Sequence, residues 1–118
     1  MANPPKIIVG IPTLNEADTI SNAVLVIDKG LAKYFNNYDC QIVNVDNNSQ
    51  DGTADEFNRT KTINKKIHLN TDLPGKGRNI LKLFHRAIGT LRSFVPFRMT
   101  MVFGVGNARN VFLFSSVL

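Results

Sequence analysis

The sequence predicts an α/β fold in which strands and helices alternate as βαβαβα, followed from about residue 90 by a tail of different character. Three observations carry this reading. Short β-branched runs alternate with segments whose apolar residues recur at helical spacing. Each run empties into turn formers: P-T-L-N-E, D-N-N-S-Q-D-G-T and N-T-D-L-P-G-K-G. The rhythm repeats three times, which implies right-handed crossovers, a parallel sheet with helices on its faces, and strand-exit loops that share one edge of the sheet.

The first strand is Ile7 to Ile11, I-I-V-G-I, introduced by a Pro-Pro pair that is not helical and closed by Pro12 and Thr13. Asn15 is the expected N-cap of the first helix, with Glu16 and Asp18 suited to the positive end of its first turn. Ile20, Val24, Ile27, Leu31 and Tyr34 form one apolar face running to about Phe35, where Asn36 and Asn37 stop it. The second strand holds Ile42, Val43 and Val45, with only Asn44 breaking the apolar run. Thr53 and Glu56 make a capping-box pattern that predicts a short second helix. Ile67 and Leu69 mark a third strand after Lys65 and Lys66, and Ile80, Leu81, Phe84, Ala87 and Ile88 define a third helix from Arg78 to a stop at Gly89.

From Thr90 the chain holds five of its eight phenylalanines and no carboxylate. Met99 to Val105 and Val111 to Phe114 can pass as strands, but neither helical nor strand periodicity persists. The G-V-G at Gly104 to Gly106 is too weak for a dinucleotide fingerprint because no helix pattern follows it.

At 118 residues the chain is one domain at most, and 43% hydrophobic residues with a mean hydropathy of -0.06 are those of a soluble globular protein. The single cysteine, Cys40, excludes an internal disulfide and reads as a buried inert thiol at the head of a strand. His68 and His85 fall in different elements, so no histidine or cysteine pair has metal spacing. Neither a signal peptide nor an apolar run of ~18 residues, the span of a membrane helix, is present, so the expectation is a cytoplasmic chain with no transmembrane segment. The net charge of +5 is uneven. All nine acidic residues lie at or before Asp72, whereas seven Lys and Arg follow it with no acid among them. That basic half is either a polyanion-binding face or a sign that the tail is not ordinary domain sequence. Its basic and aromatic residues lack groove-like periodicity, so no nucleic-acid partner is expected.

The chemistry concentrates in the strand-exit loops, where open α/β sheets bind ligands. Asp46 and Asn47 stand where a carboxylate and an amide can read a base or sugar edge, or else make Asx turns. Gly75 and Gly77 flank Lys76 in P-G-K-G-R-N, just before a helix whose free N–H groups point at the loop. Lys76 and Arg78 there form a diphosphate site, or the loop is a glycine turn carrying a solvated lysine. It is not a Walker A loop, since Gly77 stands where the hydroxyl is needed.

I-I-V-G-I-P-T-L-N-E, I-V-N-V-D-N-N-S-Q-D-G-T and P-G-K-G-R-N together resemble the N-terminal half of a family 2-type glycosyltransferase of GT-A fold, over roughly Lys6 to Ile88. The P-G-K-G form further resembles the glucosyl- and mannosyl-glycerate or phosphoglycerate synthases. The resemblance implies a three-layer, half-Rossmann-like arrangement whose first three loops hold the nucleotide of a UDP- or GDP-sugar. It implies that Pro12, Thr13 and Leu14 line the nucleoside, that Glu16 accepts from the ribose or base, that Asp46 and Asn47 read the base, and that Lys76 between Gly75 and Gly77 meets the diphosphate. The acceptor would then be a small hydroxyl compound such as glycerate or phosphoglycerate.

The family also implies a divalent metal, magnesium or manganese, held by an Asp-x-Asp at the end of the next strand. After Asp72 this chain has no Asp or Glu, so those ligands and the acceptor half are absent. The expectation is therefore residues 1–89 as a partial nucleotide-sugar-binding domain, and residues 90–118 as an atypical tail, truncated or frame-shifted, with little or no transferase activity in the chain as it stands. A naturally short, metal-free relative is the other reading. A non-catalytic nucleotide-binding module and a polyanion binder are the rival functions.

Overall fold

A computed structural model describes residues 6–70, 97–105 and 108–116 of the chain, with side chains for residues 7–70. Strands β1 (Lys6–Thr13), β2 (Asp39–Asp46), β3 (Lys65–Asn70), β4 (Phe97–Val105) and β5 (Ala108–Ser116) form one sheet in the order β3-β2-β1-β5-β4. Helices α1 (Ile20–Tyr34) and α2 (Thr53–Arg59) connect the first three strands. Those three are parallel, as the alternating rhythm requires, and make an α/β, half-Rossmann-like arrangement. The expected third helix, with the third-layer contribution it would make, lies outside the described residues.

Alternation along each strand divides its residues between the two faces of the sheet. Ile7, Val9 and Ile11 of β1 and Cys40 and Ile42 of β2 share one face, where Ile20, Ala23, Val24, Ile27 and Leu31 of α1 and Phe57 of α2 complete the core. Each fully buried aliphatic side chain there contributes about 1.5–3 kcal/mol relative to its exposed state. Ile8, Val43 and Val45, on the opposite face, are also buried. Burial on both sides explains the near-continuous apolar runs and is the usual condition of parallel strands.

Several local expectations are corrected. β1 continues through Pro12 and Thr13, which pair with Val45 and Asp46. Proline is tolerated because pairing with β5 has already ended at Gly10. α1 begins at Ile20 after Thr19, not after Asn15, and has no acidic residue in its first turn. Asn15 instead takes a left-handed φ of 53° and sends its side-chain oxygen to the Gln50 N–H. Tyr34 does not join the buried face: it is 68% exposed, past Leu31 in the final turn, with the Lys33 ammonium over its ring. The capping box does not form either. Gly52, at φ 92°, is the N-cap of α2, and Asp51 accepts the Thr53 N–H, while Glu56 pairs with Arg59.

In the tail, the two stretches that can pass as strands, Met99 to Val105 and Val111 to Phe114, fall within β4 and β5. β4 and β5 pair antiparallel with each other, and β5 pairs antiparallel with β1 from Ile7↔Ser115 to Gly10↔Phe112. The sheet thus runs on past residue 90 and becomes mixed.

Two polar anchors hold the helical side together. Buried Asp28 of α1 accepts the N–H groups of Ile63 and Asn64 and the Asn64 side-chain amide, fixing the turn before β3. Lys66 of β3 donates to the carbonyls of Phe57 and Thr60, satisfying the end of α2. Burial pushes the Lys66 amine down from its ordinary value, and Asp28 opposes that shift. Near the start of β2, burial and then the neighbouring Asp39 push the Cys40 thiol up, which fits an inert core cysteine.

Candidate functional site

The parallel register sets polar residues in rows at the carboxyl edge of the sheet. Thr13, Asp46 and Asn70 stand side by side, and one pleat back Ile11, Asn44 and His68 do the same. Side chains two residues apart share a face, so Thr13, Asn44, Asp46 and His68 all point to the side covered by α1 and α2. The Thr13 hydroxyl donates to Asp46 Oδ1 at 2.6 Å and accepts from Asn44 Nδ2 at 2.9 Å. Asn44 also donates to the Ile11 carbonyl at 3.0 Å, and its Oδ1 lies 2.8 Å from His68 Nδ1. Asn44, Asp46 and Thr13 are 0%, 1% and 2% exposed, so this network has replaced water almost completely.

Asp46 is a carboxylate with its acceptors occupied. Besides Thr13 it accepts the Ser49 hydroxyl on Oδ1 and the Ser49 N–H on Oδ2. Three donors offset the desolvation of a buried carboxylate, and they also curl the chain after β2 into its loop.

The two loops are then joined by a repeating device. Three successive backbone N–H groups of the first loop each meet a side chain of the second. Asn15 donates to Ser49 Oγ at 2.7 Å, Glu16 to Thr53 Oγ1 at 2.9 Å, and Ala17 to Asp51 Oδ2 at 3.1 Å. The i, i+2, i+4 spacing of Ser49, Asp51 and Thr53 therefore matches three consecutive donors on the partner segment. In the reverse direction Gln50 N–H donates to Asn15 Oδ1, and Asn47 N–H to the Thr13 carbonyl. Asn48, at φ 54°, donates its N–H to Asn70 Oδ1, which ties the loop to β3 as well. Asp51 is exposed, yet its carboxyl is held below the ordinary value, first by the Thr53 hydroxyl and then by the N–H groups of Ala17 and Thr53, with desolvation opposing them.

Of the residues singled out in the sequence, Pro12, Thr13, Leu14, Glu16, Asp46 and Asn47 are brought to this one edge. Pro12, Leu14, Glu16 and Asn47 are half-buried, whereas Thr13 and Asp46 are interior. The Glu16 carbonyl accepts the N–H groups of Thr19 and Ile20 and so starts the turn into α1. Gly75, Lys76 and Gly77, with Arg78, lie outside the described residues. Sequence reasoning did not single out Asn44, Ser49, Asp51, Thr53 or His68 as parts of the site. The available signal was Asn44 itself, a polar residue in a buried strand and two positions before Asp46.

The described residues do not fit a metal centre. No group of three or more histidine, cysteine or carboxylate side chains among them could hold an ion. Asp46 and Asp51, the acids of the second loop, already have their oxygens engaged by loop donors. Nor, among the described residues, is any helix long and apolar enough to cross a membrane.

Residues 8–95, about three quarters of the chain, match the family model described as Glycosyl transferase family 2. No curated protein and no solved structure matches the chain.

Proposed function

The chain belongs to glycosyl transferase family 2, and on that premise we propose that its carboxyl sheet edge binds the nucleoside end of a nucleotide-diphosphate-sugar donor, a UDP- or GDP-sugar. The observation that supports this reading most is the junction of the first two loops into one unit. Their own donors and acceptors are matched to each other, which leaves a preorganised ledge with Pro12, Leu14 and Asn47 at its surface. Asn47 carries an amide with no partner among the described residues, able to donate and accept in the plane of a base. Pro12 and Leu14 offer apolar surface to a ring, and Glu16 stands beside them for a ribose hydroxyl or base N–H. Asp46 acts here by shaping the loop that presents Asn47 rather than by touching the base, because its oxygens already serve Thr13 and Ser49.

In the third loop, Lys76 between Gly75 and Gly77 would meet the diphosphate as a point charge. In the transfer itself the bond between the anomeric carbon and the diphosphate breaks, a bond to the acceptor oxygen forms, and the acceptor hydroxyl loses its proton. The acceptor would be a small hydroxyl compound such as glycerate or phosphoglycerate. A magnesium or manganese ion would supply charge stabilisation to the leaving diphosphate in such chemistry. Among the described residues the carboxylates do not fit such an ion.

Nucleotide binding without transfer is the second reading, favoured by the lack of any Asp or Glu after Asp72. Calorimetric titration with UDP, GDP and ADP, followed by donor turnover with magnesium or manganese, distinguishes the two. Binding with turnover supports the transferase, binding alone supports the module, and no binding refutes both. Lys76→Ala should weaken diphosphate binding by ~1.5–3 kcal/mol, the scale of a charge-assisted hydrogen bond, with little effect on the free nucleoside. Glu16→Ala should weaken nucleoside and diphosphate about equally.

A further inference from the structure

His68 belongs to no motif and lies a strand away from the ledge, yet it ends the buried hydrogen-bond chain that leads there. The direction of that chain follows from elementary donor and acceptor counts. A carboxylate only accepts, so the single hydroxyl proton of Thr13 goes to Asp46 Oδ1. Thr13 Oγ1 must then accept from Asn44 Nδ2, whose second proton goes to the Ile11 carbonyl. Both amide protons of Asn44 are thereby engaged, and its Oδ1 faces His68 Nδ1 at 2.8 Å as an acceptor. His68 Nδ1 therefore carries the proton, and every bond from His68 to Asp46 points the same way.

We propose that His68 is a positioning residue for the nucleotide ledge: through Asn44 and Thr13 it fixes the orientation of Asp46, and Asp46 fixes the loop that carries Asn47. The proposal rests on the nucleotide-binding reading of that ledge. Its physical basis is that without His68 the buried Asn44 Oδ1 has no donor, and only the two bonds from Nδ2 then resist a turned amide. A flipped Asn44 would set an acceptor against the Thr13 oxygen and the Ile11 carbonyl. Thr13 would then lose the donor that holds its hydroxyl toward Asp46. The Phe57 ring lies 6.1 Å from the imidazole between centroids, on the helical side of the sheet.

Two measurements on the full chain test this. Nitrogen NMR of the neutral imidazole at alkaline pH should find the proton on Nδ1 of His68; a proton on Nε2 overturns the chain of donors whatever the ledge binds. Titration with UDP should show a roughly 2- to 10-fold loss of affinity in His68→Phe, the scale of one neutral hydrogen bond, at unchanged stoichiometry. His68→Asn, whose amide nitrogen falls near the position of Nδ1, should restore most of it. A purely structural role would lower thermal stability in both variants without that rescue. Unchanged UDP affinity in folded His68→Phe overturns the positioning role, as does equal loss in His68→Phe and His68→Asn. If the unaltered chain binds UDP, GDP and ADP not at all, the nucleotide reading fails and the role of His68 fails with it, while the Nδ1 proton would still mark the hydrogen-bond chain as real.

Discussion

Replacing Thr13 by valine isolates the chemistry of the buried network from its shape. Valine keeps the branched outline and nearly the volume of threonine, so packing against the α1 face is preserved while the hydroxyl is lost. Thr13 is 2% exposed, and no water reaches the groups it leaves behind. Asp46 would keep both Ser49 donors but lose the 2.6 Å bond from Thr13. Hydrogen bonds to charged groups are worth about 1.5–3 kcal/mol each. Asn44 would be left with one buried N–H unpaired, at a further cost of about 1–3 kcal/mol. The sum, roughly 2.5–6 kcal/mol, is a large share of the 5–15 kcal/mol typical of a whole domain. Urea unfolding should therefore show a much lower midpoint with an unchanged slope, which reports stability rather than a change in compactness. Thr13→Ser, which keeps both hydrogen bonds and deletes a methyl, should lose only about 1 kcal/mol. A Thr13→Val loss no larger than that of Thr13→Ser would falsify the claim that this hydroxyl joins Asn44 to Asp46.

Asp28→Ala removes the acceptor of the Ile63 and Asn64 N–H groups and should destabilise the protein by about 2–4 kcal/mol, measured in the same urea titration. Asp51, whose folded-state carboxyl is depressed, stabilises the joined loops fully above its unfolded pKa and loses that contribution as pH falls through its lower folded value. The Ala17 amide proton shift should follow this titration with a midpoint below the ordinary aspartate range; a midpoint at or above that range contradicts the clamp. Asp51→Asn should weaken the same Ala17 contact at neutral pH, seen as faster amide exchange at Ala17 with little change at Ile27 in the body of α1.

How much of this was legible differs by level. The parallel βαβ pattern follows from two signals that agree, β-branched runs and a helical apolar face, and four of the five residues expected on that face are buried. Helix starts escape the capping rules because those rules assume local partners. Asn15 and Thr53 have the right residue types for caps, but each gives its side chain to a residue of the other loop, 35 or more positions away. The tail was harder for another reason. Phe97, Met99, Met101, Phe103 and Val105 do alternate with Arg98, Thr100, Val102 and Gly104, but Ala108–Ser116 mixes polar and apolar residues at both parities, and neither stretch shows that it pairs antiparallel on the far side of β1.

The site shows where a motif and a function separate. D-N-N-S-Q-D-G-T looks like a ligand-reading loop because it is rich in acceptors, yet Ser49, Asp51 and Thr53 turn theirs toward the backbone of Asn15, Glu16 and Ala17. Their spacing is dictated by a protein partner with three consecutive N–H groups, not by a ligand. Consecutive donors without such acceptors would be open to water and the first loop would lose its fixed path. The pairing of the two motifs in one chain is thus itself a structural requirement, since neither loop satisfies its backbone alone. With those acceptors engaged by the loops themselves, the recognition surface proposed above rests on the half-buried Pro12 and Leu14 and on the side-chain amide of Asn47. On that reading, specificity for a base should respond to substitution at Asn47 more than at Asp46 or Asp51, the two acids of the second loop.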